Sequence, residues 1–209
     1  MRLNAIELPP RAPGASRTLV VLHGYGADEH DLLPVGHELD PRFRVVSLQG
    51  PIALGGPMRA WFNLRQDLQG RISFDLAEAR EAVRGVIGAV EEIAAASPRP
   101  FLLGFSQGAG IALGVALLRP DLATGVLSFS GVARTLEGGD HAPQEQLRGF
   151  PVFAAHGLQD PLIPIGLGRR MRDEIAALGL DVGWHEYPMG HMVIPDEIAD
   201  AKAWLSRHW

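Results

Sequence analysis

The chain has 209 residues, 46% of them hydrophobic and 21% charged, and a formal net charge of −5. That balance is ordinary for one folded domain with a sizeable core, and the lack of a basic stripe argues against nucleic acid or an anionic membrane as partner. There is no cysteine, and lysine occurs once, as Lys202, so disulfides, thiolate metal sites, a cysteine nucleophile and a lysine Schiff base all lack candidates. No apolar run approaches the ~20 residues of a membrane span. Met1 to Glu7 lacks the apolar stretch of a signal peptide, so a cytoplasmic enzyme is expected.

In chain order, Leu3 to Leu8 reads as a short edge strand, and Thr18 to Leu22 as a strand buried on both faces leading into His23-Gly24-Tyr25-Gly26. A helical segment interrupted by Pro34 runs to about Leu39, and Phe43 to Leu48 is the next strand. Gln49 to Ser73, rich in Gly and Pro, reads as irregular and is long enough to be functional. Asp75 and Glu78 predict a capping box opening a long helix, closed by Ser97-Pro98-Arg99-Pro100. An apolar strand from Phe101 then runs into Gly104-Phe105-Ser106-Gln107-Gly108 and a helix to about Arg119. Strands at Thr124–Phe129, Pro151–His156 and Val182–Tyr187 alternate with a polar loop through Gly149, a helix over Gly168–Leu178 and a closing helix over Glu197–Trp209. Alternation of this kind predicts an α/β fold, with a mainly parallel central sheet and helices on both faces.

Gly-Phe-Ser-Gln-Gly between a strand and a helix fits a nucleophile elbow, a strained turn that exposes one serine. Alone, it also fits a Gly-rich turn carrying a surface serine. Three further pieces select the first reading. A serine hydroxyl needs a histidine base oriented by a carboxylate, expected in the chain order Ser, Asp, His. Asp160 follows one buried strand and His191 follows the last, where open α/β sheets place functional groups. The oxyanion donors are then the backbone N–H of Gln107 and that of Tyr25, between its two glycines. Among the other histidines, His30, His37, His141 and His208 read as solvated. His185 lies inside a strand, His156 reads as a hydrogen-bonding support of the acid loop, and His23 as fixing the turn it precedes. A metal cluster of His23, Asp28, His30 and Asp31 matches no ligand spacing, and neither metal nor cofactor is expected.

Leu22-His23-Gly24-Tyr25-Gly26, Trp61-Phe62, the Gly-Phe-Ser-Gln-Gly block, Gly157 to Pro164 and Gly190-His191 together resemble the phospholipase/carboxylesterase family, from about Thr18 to the C-terminus. The resemblance implies a single α/β-hydrolase domain over residues 1–209, a Ser106–Asp160–His191 triad and oxyanion amides at Tyr25 and Gln107. This chain carries Tyr25 where the thioesterases of that family typically have Leu, and Ala27-Asp28 where Asp usually follows the glycine directly.

The expected activity is hydrolysis of small to medium acyl esters through an acyl-enzyme. The same machinery also serves thioesters and lysophospholipids, and a catalytically silent binding module is the reading from another class. Ile52, Leu54, Met58, Trp61, Phe62 and Leu64, with Phe74, are candidates for an acyl pocket. The substrate contacts expected from these and from the acid loop are Trp61, Phe62, Leu64 and Leu158. The expected partner is a small-molecule ester, without stable membrane insertion, and the protein a monomer or homodimer. Trp204, Leu205 and Trp209 are expected to pack on the core.

Overall fold

The computed structural model of the chain describes residues 3–14, 16–68, 72–96, 98–132 and 140–209. Among them, Ala5–Leu8 (β1), Arg17–Leu22 (β2), Phe43–Leu48 (β3), Phe101–Phe105 (β8), Gly125–Phe129 (β9), Pro151–Gly157 (β10) and Asp181–Tyr187 (β11) form one sheet in the order β1-β3-β2-β8-β9-β10-β11. Only β1 is antiparallel, pairing with β3 at the edge. The other six run parallel, so all their carboxyl ends open on one side. That side is where ligands bind in such sheets.

Alternation along each strand builds two cores. Val20 and Leu22 of β2, with Leu102 of β8, face one; Leu19 and Val21, with Phe101 and Leu103, face the other. The first core is covered by Leu76–Ala96 (α2), Gln107–Leu118 (α3) and Ile165–Ala177 (α5), through residues such as Val83, Ile111 and Ile175. The second is covered by Pro195–His208 (α6), through Ile198, Ala201, Trp204 and Leu205, with Leu39 of Leu33–Leu39 (α1) beside them. Helix α3 carries no charge and is buried along all but its last residue, as a helix apolar on every side must be. A short helix, Gln144–Leu147 (α4), precedes β10.

Trp204 and Leu205 pack on the core as expected, while Trp209 lies 5.0 Å from Phe43 with the Arg42 guanidinium 4.0 Å above its ring. Three expectations need correction. The stretch from Gln49 to Ser73 is not irregular throughout: Ile52–Gly55 (β4) and Met58–Ala60 (β5) form a hairpin, and Arg65–Gln66 (β6) pairs with Ile72–Ser73 (β7). Runs this short, broken by Gly and Pro, show too little periodicity to be read as strands. The capping box at α2 is half formed. Asp75 accepts from the amides of Ala77 and Glu78, but Glu78 takes the Asn63 side chain instead of reaching back. His37 is not solvated; it is 7% exposed and its Nε2–H donates to the Pro9 carbonyl. Ser97 and residues 133–139 of the expected polar loop lie outside the described residues.

Candidate active site

Strand β8 ends at Phe105 and α3 begins at Gln107, leaving one residue to make the reversal. Ser106 makes it with φ 54° and ψ −116°, a conformation that costs a non-glycine residue of order 1–3 kcal/mol. Its amide donates to the Phe129 carbonyl at 2.9 Å, and its carbonyl accepts from Ala109 and Gly110 in the first turn of α3. The close crossing of strand and helix explains the two flanking glycines. A Cβ on Gly104 would be driven into the Gly108 carbonyl, and one on Gly108 into the Leu22 carbonyl oxygen. The Gln107 amide stands at the positive end of α3, one of the helix's unpaired first-turn donors.

The turn after β2 lies against this elbow. A Cβ placed on Gly24 would sit 3.5 Å from the Ser106 Cβ and 3.1 Å from the Phe105 ring. Tyr25 follows, its side chain 40% exposed. His23 is fully buried and holds the turn as the sequence suggested. The Gly24 carbonyl 2.7 Å from Nδ1 can only accept, so Nδ1 carries the proton and Nε2 accepts from the Gly50 amide at 3.0 Å. Desolvation lowers the His23 pKa, which keeps this neutral tautomer in place.

Asp160 and His191 are brought together from neighbouring strands. Asp160 follows β10 and its Oδ1 accepts from the amides of Leu162 and Ile163 at 2.9 and 2.8 Å, so the carboxylate is fixed by its own loop. Its Oδ2 accepts from His191 Nδ1 at 2.6 Å. The Leu158 amide donates to the Tyr187 carbonyl and the Gln159 amide to that of Met189, which ties the acid loop to the base loop. His156, below them and fully buried, donates from Nε2 to Ile163 at 2.8 Å and lies 3.6 Å from Asp160. The His191 ring packs at 4.8 Å on Phe105, the residue before Ser106. With Nδ1–H committed to Asp160, Nε2 has the lone pair a base requires. Among the described residues Ser106 and His191 form no hydrogen bond, as is common before substrate closes a catalytic site.

The expected substrate contacts divide. Trp61 and Phe62 are 2% and 4% exposed and belong to the core, with Phe62 on Phe74 at 5.0 Å, so they offer almost no free surface to a ligand. Leu64 is partly exposed and Leu158 is open. Leu162 beside the acid, Met192 beside the base and Met58 on the hairpin are exposed too, and Leu162 and Met192 were not singled out from sequence. Exposure of a leucine or methionine leaves no local sequence mark. His185 stacks on Phe153 at 4.7 Å and pairs with Asp200 at 3.5 Å, away from the strand ends. Asp28, Glu29 and His30 bring three donor atoms within 4.8 Å of one another, but His23 is already engaged through both ring nitrogens. A concavity of about 690 Å³ lies at the amino ends of β8, β9 and β10, opposite the elbow.

Residues 5–209 match the phospholipase/carboxylesterase family. The chain belongs to that family. As a member it is a hydrolase of ester bonds. It is similar to acyl-protein thioesterase 1 of Mycosarcoma maydis, 29% identical over 234 residues that span 98% of this chain and 97% of that protein. It is likewise similar to acyl-protein thioesterase 1 of Gibberella zeae, 26% identical over 95% of this chain and 93% of the other. Among solved structures, the Bacillus cereus carboxylesterase superposes with a TM-score of 0.85 at 23% identity, over 99% of this chain and 95% of that one, a likeness of fold. Esterase PE8 superposes at 0.81 with 27% identity over the full length of both. Among the described residues, no helix is long and apolar enough to cross a membrane.

Proposed function

We propose that this enzyme hydrolyses small to medium acyl esters by two-step acyl transfer, with Ser106 as nucleophile, His191 as base and Asp160 as its orienting acid. The observation that carries the reading is the Asp160–His191 pair packed on Phe105, next to a serine in a strained elbow conformation. Ser106 attacks the ester carbonyl while His191 Nε2 takes its proton, and Asp160 stabilises the imidazolium. The oxyanion is held by the amides of Gln107 and Tyr25, each worth about 10²–10³ in rate. The alcohol leaves with the proton from His191, and water activated by the same imidazole then releases the acid. Apolar side chains at Tyr25, Leu158, Leu162 and Met192 flank these groups and suit an acyl chain.

Thioesters are a second reading, favoured by the thioesterase relatives and by chemistry that the same triad performs. A silent binding module would be expected to lack one of Ser106, Asp160 or His191, and all three are present. Kinetics on a p-nitrophenyl ester series from acetate to palmitate, beside acyl-CoA, separates the two substrate classes. A fluorophosphonate probe should label Ser106, and the Ser106→Ala variant should lose label and turnover while keeping its melting temperature. Unlabelled Ser106 in active enzyme, or turnover by Ser106→Ala, would overturn the assignment.

A further inference from the structure

Two amides can stabilise one oxyanion only if both lie about 2.7–3.1 Å from the same oxygen. The Gln107 amide is set by a helix buried along all but its last residue. The Tyr25 amide sits in a turn without secondary structure, beside Gly26 at φ 80°, so contacts from outside must hold it.

Besides the His23–Gly50 bond, those contacts come from one short segment, Arg59 to Phe62. The Gly26 amide donates to the Arg59 carbonyl at 2.9 Å, and the Arg59 amide donates back to Ala27 at 2.8 Å. The Trp61 indole N–H donates to the His23 carbonyl at 2.9 Å. The other end of the segment is tied to the elbow. The Gln107 side-chain oxygen accepts from the Trp61 amide at 2.8 Å, and its Nε2 donates to the Phe62 carbonyl at 2.8 Å. A carboxamide presents one acceptor and two donors on a single planar group, which lets one side chain grip both peptide units.

We infer that Arg59–Phe62 is a strut that sets the distance between the two oxyanion amides, with the Gln107 carboxamide and the Trp61 indole as its positioning groups. The inference rests on the triad and oxyanion reading given above. The residue that supplies one donor through its backbone thus fixes the other donor through its side chain. His23, Trp61 and Gln107 are all buried, so these bonds are shielded from competing water and their loss leaves unpaired polar groups inside the protein.

The test uses Gln107→Met, close in shape but unable to bond, Gln107→Glu, which when ionised keeps the acceptor and loses the donor, and Trp61→Phe, which loses the indole N–H. A misplacement near 1 Å costs about 100-fold in rate, so kcat for p-nitrophenyl butyrate should fall about 10- to 100-fold while KM changes less than about three-fold. Affinity for an alkyl trifluoromethyl ketone should fall by the same factor as kcat/KM. In that adduct the Ser106 oxygen bonds to the carbonyl carbon, its proton passes to His191, and the carbonyl oxygen takes the negative charge. Loss of stability without parallel loss of kcat and ketone affinity would make the segment a packing element only and overturn the strut. Wild-type turnover by both Gln107 variants would do the same. Trp61→Phe opens a cavity, so the near-isosteric Gln107→Met decides if that variant fails to fold. Ser106→Ala run in parallel separates the two readings: turnover there sinks the site itself, whereas a dead Ser106→Ala beside fully active strut variants sinks the strut alone.

Discussion

Replacing Glu197 by glutamine should stabilise the protein, and by an amount that depends on pH. Glu197 occupies the first turn of α6, fully buried, and among the described residues neither carboxylate oxygen has a close hydrogen-bond partner. Desolvation pushes its pKa from 4.5 up to about 8, opposed in part by the nearby Ile194 amide. A carboxylate in a first helical turn gains at most about 2 kcal/mol from the helix dipole. A rise of about 3.5 pH units corresponds to about 5 kcal/mol against the charged form, so desolvation wins. The folded state keeps its proton where the unfolded state has lost it. Stability from this group is therefore complete below pH 4.5 and lost progressively as pH rises to about 8. At pH 7 the loss is about 3 kcal/mol, which Glu197→Gln would restore as a rise in melting temperature of about 6–12 °C. At pH 4.5 the two proteins should unfold together. Urea or thermal unfolding of both from pH 4.5 to 8.5 measures the divergence. Parallel curves across that range would refute the reasoning, as would a variant less stable at every pH.

Asp160→Asn keeps an oxygen for the Leu162 and Ile163 amides but loses the carboxylate that fixes the His191 tautomer, so kcat should fall about 10⁴-fold with little change in melting temperature. Gly108→Ala forces a methyl into the Leu22 carbonyl and should cost at least about 3 kcal/mol, read by urea unfolding. His23 has a lowered pKa, so its contribution to stability is present above pH 6.5 and lost as pH falls below that value. A His23→Asn variant should show a flatter acid limb in thermal unfolding between pH 6.5 and 5. Leu162→Asp places a charge beside the proposed acyl path and should lower kcat/KM for long-chain p-nitrophenyl esters at least about ten-fold more than for acetate.

Much of the site was legible in the chain because its parts are local. A strand running into Gly-Phe-Ser-Gln-Gly demands an elbow, since only glycine fits where β8 and α3 cross, while Asp160 follows the buried strand β10 and His191 the half-buried edge strand β11. Parallel order then carries all of them to one edge of the sheet without further information. The central strands were readable as continuous apolar runs, buried on both faces, and the long helix α2 by its helical spacing of apolar residues.

Three other features came only from packing. The hairpin at β4 and β5 is too short to show a period, and its identity depends on bonds to the turn and the elbow. Trp61 and Phe62 look like pocket residues in a Gly- and Pro-rich stretch, yet the Gln107 carboxamide draws them inward. Glu197 reads as one more acid at the start of an amphipathic helix, and its burial follows from where α6 lies against the second core. The proposed chemistry rests on residue types next to strand ends, which act over a few bonds. The spacing of the Tyr25 and Gln107 amides and the cost of a buried charge depend on groups distant in sequence, and so were decided by the tertiary structure.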